Sequence, residues 1–169
     1  MKYKHILITG GAGYIGSHVL LELAKKGEKV VVVDNLSTGH QDALLHGETF
    51  IQCDLRDTPT LKETFEQFHP DTVIHFAASI NAPESVGHPL AYYRNNLSNT
   101  IGLLGLAQEY SVKQFLFSST AATYGSVGDA PVSEDHETHP LNPYGWSKLM
   151  SEQVIKDTAT QCGMHYAIL

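Results

Sequence analysis

Tyr144 and Lys148 stand four residues apart in the run Asn142-Pro-Tyr-Gly-Trp-Ser-Lys148. On a helix that spacing stacks the two side chains on one face, one turn apart. A free phenol titrates near pH ~10, so service as a base near neutrality asks for about 3 pH units, or about 4 kcal/mol. A cation about 4 Å away in a partly screened site supplies about that much. The chemistry on offer is proton transfer to and from an alcohol. Tyrosine and lysine at this spacing also occur on ordinary solvated helix faces, so the pair alone assigns nothing. A third member comes from Phe117-Ser118-Ser119-Thr120, which puts hydroxyls at the end of an apolar run. Thr120 can hydrogen-bond a substrate hydroxyl and align it with Tyr144, or it can satisfy local backbone groups.

Such a pair needs something to act beside, and the start of the chain supplies a candidate. Gly10, Gly13 and Gly16 in Thr9-Gly-Gly-Ala-Gly-Tyr-Ile-Gly16 sit between an apolar strand pattern and a helical one. Their spacing is one residue wider at the first gap than the commoner dinucleotide fingerprint. Glycine there permits a tight turn, close approach of backbone to a pyrophosphate, and close packing of helix on strand. The pyrophosphate would rest at the positive end of the helix dipole. Asp34 ends the next strand pattern, about where an acidic residue reaches adenosine ribose hydroxyls. Its charge would repel a 2′-phosphate, and no Lys or Arg follows until Arg56, so NAD is expected over NADP. Asp34 can also simply begin a turn with Asn35. Asp54, at the end of a third strand, can hydrogen-bond the adenine or close a plain turn.

The elements that would position these groups alternate between strand and helix. Strands are expected over 5–9, 29–34, 49–54, 72–76, 114–118 and 164–169, among them the β-branched run Val30-Val31-Val32-Val33. Helices are expected over 14–26 with Ile15, Val19, Leu20 and Leu23 inward, 59–68, 90–109 with Tyr93, Leu97, Ile101 and Leu104 on one face, and 144–160 with Leu149, Met150 and Ile155. Gly102 and Gly105 would either allow close backbone approach or weaken their helix. A polar loop is expected from 126 to 143. The alternation predicts one α/β domain over 1–169, a doubly wound parallel sheet of the dinucleotide-binding Rossmann type covered by helices on both faces.

Composition agrees. At 169 residues, 42% hydrophobic and 17% charged, the chain suits one soluble domain with a sizeable core. A formal charge of -7 excludes bulk attraction to nucleic acid or an anionic membrane, though not a local phosphate site. Cys53 and Cys162 are far apart and outside any C-x-x-C spacing, which argues against a disulfide framework or a zinc site. No signal segment or membrane span is evident, so a cytoplasmic location is expected.

Taken together, the motifs resemble the amino-terminal half of the extended short-chain dehydrogenase/reductases, in their UDP-glucose 4-epimerase branch. The resemblance runs from end to end. It rests on Thr9-Gly-Gly-Ala-Gly-Tyr-Ile-Gly-Ser-His18, Asp34-Asn35-Leu36, Val73-Ile-His-Phe-Ala-Ala78, Glu84-Ser-Val86 with Pro89, Tyr92-Tyr-Arg-Asn-Asn96, Phe117-Ser-Ser-Thr120 and Pro143-Tyr-Gly-Trp-Ser-Lys148. It implies interconversion of UDP-glucose and UDP-galactose on a tightly held NAD, in galactose metabolism. Tyr144 would take the sugar 4-hydroxyl proton while hydride leaves C4, and the 4-keto sugar would turn over before hydride returns. Lys148 would bond the nicotinamide ribose and depress the Tyr144 pKa, and Thr120 stands where the family places Ser or Thr. Tyr14, Ile15, Asn35, Leu55, Phe76, Ala77, Ala78, Asn95 and Ser118 would join Gly10, Gly13, Gly16, Asp34 and Asp54 around the cofactor. The resemblance also suggests a homodimer through the 90–109 and 144–160 helices.

The departures from the family pattern are specific. Ile80 replaces a lysine that in several epimerases contacts the pyrophosphate. Nothing corresponds to an Arg-Tyr-Phe-Asn stretch after the sixth strand, or to a substrate-gripping second domain, so a truncated or split product is expected. A 4,6-dehydratase would carry an Asp-Glu pair after Thr120, where Ala121-Ala122 stand instead. Other nucleotide-sugar epimerases, and a non-catalytic NAD-binding module with an apolar edge strand at Met164-His-Tyr-Ala-Ile-Leu169, remain rivals. The pair His136-x-x-His139 lies in a polar loop, and its setting does not match a zinc peptidase pattern.

Overall fold

The computed structural model describes residues 5–45, 47–128 and 131–169. Six short strands form one fully parallel sheet: β1 (Ile6–Thr9), β2 (Val30–Asp34), β3 (Thr49–Gln52), β4 (Thr72–His75), β5 (Gln114–Phe117) and β6 (His165–Ile168). Their order is β3-β2-β1-β4-β5-β6, the doubly wound arrangement expected from the alternation. Leu7 pairs in register with Val31 on one side and Val73 on the other. The chain reverses direction across the sheet between β1 and β4, which opens a crevice beyond their carboxyl ends.

Alternate residues of these strands face opposite sides. Leu7, Val73, Phe115 and Phe117 pack with Leu61 and Phe65 of α2 (Thr58–Phe68), Leu103 and Leu104 of α5 (Asn99–Glu109), and Ile155 of α6 (Pro143–Cys162). On the other side Ile6, Ile8, Val30, Val32 and Ile74 pack with Leu20 of α1 (Tyr14–Lys25). The helices start where side chains can cap them. Asp57 accepts from Thr60 N at the start of α2, and Asn142 accepts from Gly145 N at the start of α6. Gly163, at φ 73, closes α6 in the left-handed conformation that suits glycine.

The structure departs from the sequence expectations mainly in the helices. The helix expected over 90–109 is three pieces: α4 (Pro89–Tyr92), a π-helical turn over Tyr93–Ser98, and α5. The π turn inserts an extra residue and shifts the helical phase. Of the stripe Tyr93, Leu97, Ile101 and Leu104, Leu104 is buried, Tyr93 and Leu97 are half-buried and Ile101 is exposed, while Tyr92, Asn96, Thr100 and Leu103 fill the inward face. Gly102 and Gly105 face open space, since an added Cβ at either would meet nothing within 4 Å. A short helix the sequence did not announce, α3 (Ala82–Gly87), precedes α4. In α1, Ile15 is exposed, and Gly16 and Leu20 occupy the buried face instead. Met150 of α6 is likewise exposed. The loop expected over 126–143 ends one residue earlier, because Pro143 opens α6; its Asp129 and Ala130 lie outside the described residues.

No helix among the described residues is long and apolar enough to cross a membrane. Among those same residues no group of three or more His, Cys, Asp or Glu could hold a metal ion. His139 instead bonds Glu137 at 3.2 Å, and the His136 ring lies beside Tyr124.

Candidate active site

The glycine turn follows β1 directly. Gly10 has φ +73, and a Cβ there would lie 2.5 Å from Ala77 N. A Cβ on Gly16 would lie 2.3 Å from Gly10 O. Glycine is thus demanded at both positions by crowding of the turn against β4's exit and against the helix. Gly13 is different: its Cβ would meet only Gly10 O, at 3.4 Å. Gly13 is also the residue before α1, and no side chain caps that helix. The first-turn amides of α1 are left facing the crevice side with no acidic residue among them. Tyr14 and Ile15, in that turn, are both exposed.

Asp34 is buried, and its carboxylate shapes the turn. Oδ2 accepts from Ala12 N at 3.0 Å, and Oδ1 accepts from Leu36 N at 2.8 Å. Each oxygen keeps a second lone pair. The turn with Asn35 and the approach to the glycine loop are therefore both made by one side chain. Asp54 is more fully committed. Its Oδ1 accepts from Arg56 N and Nε, and its Oδ2 accepts from Arg56 Nη2 and Asn35 Nδ2, all within 2.8–2.9 Å. The Arg56 guanidinium holds the Asp54 carboxyl well below the usual carboxylate range. Leu55 is half-buried beside it, packed on the sheet's larger core.

Beyond β4, Phe76, Ala77 and Ala78 are half-buried, with Phe76 N and Ala77 N both donating to Thr9 O. The next residue, Ser79, is held by two neighbouring asparagines of the π turn. Asn95 Nδ2 donates to Ser79 Oγ at 3.1 Å. Asn96, fully buried, accepts from Ser79 N at 2.8 Å and donates to Ser79 O at 2.9 Å. The Asn96 amide also donates to Ser147 Oγ at 3.0 Å, and Ser147 Oγ donates to Tyr144 O at 2.7 Å. One amide thus joins the loop after β4 to the first turn of α6. Ile80, next in that loop, is exposed.

Proline at the first position of α6 and the Asn142 cap start the helix so that Tyr144 and Lys148 share its inward side. Tyr144 is half-buried, its ring edge-on to Tyr92 at 6.5 Å between centroids. Lys148 is only 3% exposed. Its Nζ donates to Ser118 O at 2.7 Å and lies 4.5 Å from the centroid of the Phe117 ring. Burial lowers the Lys148 pKa to about 8, with Glu152 one turn on pulling the other way. The amine therefore stays mostly charged near neutrality. Thr120 begins a single 3-10 turn, and its Oγ1 accepts from Ala122 N at 3.2 Å. The hydroxyl proton and one lone pair of Thr120 are left for another partner. Ser119 donates to Glu152, which ties the end of β5 to α6 a second time.

Beneath the site lies a polar group that the sequence did not single out. His75 is completely buried at the centre of the sheet. Thr100 Oγ1 gives its proton to Asn96 O at 2.6 Å, so it must accept from His75 Nε2 at 2.9 Å. His75 is then the Nε2–H tautomer, and its Nδ1 accepts from Thr9 Oγ1 at 2.6 Å. Burial, with Lys148 nearby, pushes the His75 pKa down to about 3. Ser85 and Ser147 were visible only inside longer motifs, and a serine's partners cannot be read from its type. Asn96 gave no signal to separate it from Asn95.

The arrangement joins a glycine turn fit for an anion, a carboxylate at the end of β2, and a phenol, an ammonium and a hydroxyl at the end of β5. Solved structures share the fold closely. Over 98% of this chain and 50% of the other, the chain superposes with a TM-score of 0.93 and 43% identity on the UDP-glucose 4-epimerase of Brucella ovis solved with NAD. It also matches the UDP-Glc/GlcNAc 4-epimerase of Campylobacter jejuni, with a TM-score of 0.94 and 43% identity over 98% of this chain and 52% of that one. A UDP-glucose 4-epimerase of Azospirillum brasilense is 44% identical over 97% of this chain and 47% of its own length. The chain thus spans about half the length of the curated relatives it matches. Residues 6–169 match the model of the NAD dependent epimerase/dehydratase family, and the chain belongs to that family.

Proposed function

We propose that residues 1–169 form a single NAD-binding domain, the half of a nucleotide-sugar 4-epimerase that houses its acid and base. The reaction in this reading interconverts UDP-glucose and UDP-galactose through a transient 4-keto sugar. The observation that carries it is the buried, charged Lys148 one helical turn after Tyr144, where β5 delivers Thr120.

The residues present fit a dinucleotide. Two glycines admit no Cβ, a third leaves open space, and the uncapped first turn of α1 offers amides to a pyrophosphate. Asp34 keeps a free lone pair on each oxygen for ribose hydroxyls, with Asn35 beside it. Leu55 and Asp54 would lie at the adenine, where Asp54 must share an oxygen already bonded to Arg56 or Asn35. Phe76, Ala77, Ala78 and Asn95 would line the middle, and Ser118, Tyr144 and Lys148 the nicotinamide end. Bound NAD supplies a hydride acceptor and donor for the sugar C4.

The chain's own groups move the proton. Tyr144 Oη takes it from the sugar 4-hydroxyl and later gives it back. Lys148 puts a positive charge on the same helix face, in a site of low dielectric, and stabilises the oxygen anion left behind. The Thr120 hydroxyl holds the sugar oxygen against Tyr144. Exposed Leu90, Ile101, Trp146 and Met150 would be covered by a homodimer through residues 90–109 and 144–160. A cytoplasmic role in galactose metabolism belongs to the same proposal.

The test is incubation of the purified chain with NAD and UDP-galactose, followed by separation of the products. Conversion to UDP-glucose that disappears in Tyr144→Phe supports the reading. The half-length coverage of its relatives favours one rival, a module that binds NAD without turnover. Bound NAD with no conversion of UDP-galactose would decide for that rival.

A further inference from the structure

We propose that Ser85 is a positioning residue for Tyr144, completing from a separate helix the cap of the helix that carries the phenol. The proposal rests on the reading of Tyr144 as acid and base. The first turn of a helix leaves backbone donors without intrahelical partners. In α6, Pro143 has no N–H to satisfy. Gly145 N donates to Asn142 Oδ1 at 2.9 Å, and Trp146 N to Asn142 O at 3.0 Å. The remaining donor is Tyr144 N, and it goes outside the helix, to Ser85 Oγ at 3.2 Å. Ser85 has no exposed surface, and its hydroxyl proton is committed to Ala82 O at 2.6 Å. Only its lone pairs face Tyr144, so the direction of the bond is fixed.

The same short helix also bears on Tyr144 indirectly, through Tyr92 of α4. Tyr92 OH donates to Glu84 Oε2 at 2.9 Å, and the Tyr92 ring stands edge-on to the Tyr144 ring. α3 therefore holds the backbone of Tyr144 directly, through Ser85, and its ring only through Tyr92 of α4. It begins at Asn81, whose side chain accepts from Glu84 N, directly after the loop that Asn96 bolts to α6. Any movement of the loop over 76–81 is passed through α3 to the phenol.

The full chain would be compared with Ser85→Ala, which removes one buried oxygen, and Ser85→Thr, which keeps the acceptor. Asn142→Ala serves as a loss of cap confined to α6 itself. Amide exchange at Tyr144 should quicken about tenfold in Ser85→Ala while amides from 151 to 159 keep their protection. With UDP-galactose, kcat should fall about tenfold to a hundredfold and KM change less than about twofold. Ser85→Thr should recover most of the loss, and Asn142→Ala should lower stability more than kcat. Unchanged exchange at Tyr144, or a kcat in Ser85→Ala within about twofold of the parent, would overturn the proposal. If the parent chain turns over nothing, the epimerase reading fails by itself, and exchange at Tyr144 still decides whether Ser85 holds it.

Discussion

Replacing Lys148 by methionine should make the protein more stable and, on the reading proposed above, inactive. The amine is 3% exposed, and burial lowers its pKa from 10.5 to about 8. At about 1.36 kcal/mol per pH unit, keeping it charged in the folded site costs about 3 kcal/mol. Methionine fills nearly the same space and forfeits the bond from the charged amine to Ser118 O, worth about 2 kcal/mol. The variant should therefore gain about 1 kcal/mol near neutral pH. The pH dependence identifies the cause. Because the folded-state value lies below the unfolded one, the unfolded chain binds more protons between pH 8 and 10.5. The parent's stability must then rise through that window, with the lysine's contribution absent below it and complete above it. Urea unfolding of both proteins without cofactor should show the stability difference moving by about 2–3 kcal/mol in the parent's favour between about pH 7 and about pH 10, so that the variant's advantage reverses. An advantage that stays constant across the window, or a variant less stable than its parent at neutral pH, would refute the argument that Lys148 is held charged against its own desolvation.

His75 makes the opposite limb testable: its folded-state pKa is about 3 against an ordinary 6.5. Below about pH 6.5 the unfolded chain takes up a proton that the folded chain refuses, so stability should fall by about 1.36 kcal/mol per pH unit until the folded value is reached. His75→Gln should flatten that fall in urea titrations done in acid. Among the glycines, Gly16→Ala forces a Cβ to 2.3 Å from Gly10 O and should cost about 2 kcal/mol or more in thermal unfolding. Gly13→Ala should cost about 1 kcal/mol or less, yet weaken NAD binding at least about tenfold by equilibrium dialysis, since its methyl would project toward the phosphates. Asp34→Ser removes the charge that repels a 2′-phosphate, and should lower the ratio of NAD to NADP affinity at least about tenfold.

The sheet was readable because its strands are short β-branched or aromatic runs ended by Gly, Asp or Ser; each lies within one or two residues of its expected place. Val30 to Val33 could be little else in an α/β chain. The helices were less readable wherever the inward residue is small or polar. Gly16 and not Ile15 faces the sheet, since only a glycine lets α1 come so close to Gly10. The residues Asn96 and Thr100 face inward because a π turn resets the phase, and no periodicity in side-chain polarity reports a backbone hydrogen bond that spans one residue more. The candidates Tyr144, Lys148 and Thr120 were picked out by spacing and motif. Their supports, Ser85, Asn96 and Ser147, were not, because hydroxyl and amide partners depend on which distant elements meet.

The π turn has one consequence for how this chain can vary. Tyr92 must meet Glu84, and Thr100 must meet His75, at opposite ends of the same winding. Deleting a single residue from 93–98 would return the segment to plain α geometry with its two ends in nearly the same rotation, so both anchors can hold, whereas a second deletion would turn one end by about 100° against the other. The winding between those anchors therefore has one residue to spare, and surface positions such as Arg94 and Ser98 should accept almost any substitution and the loss of one of them.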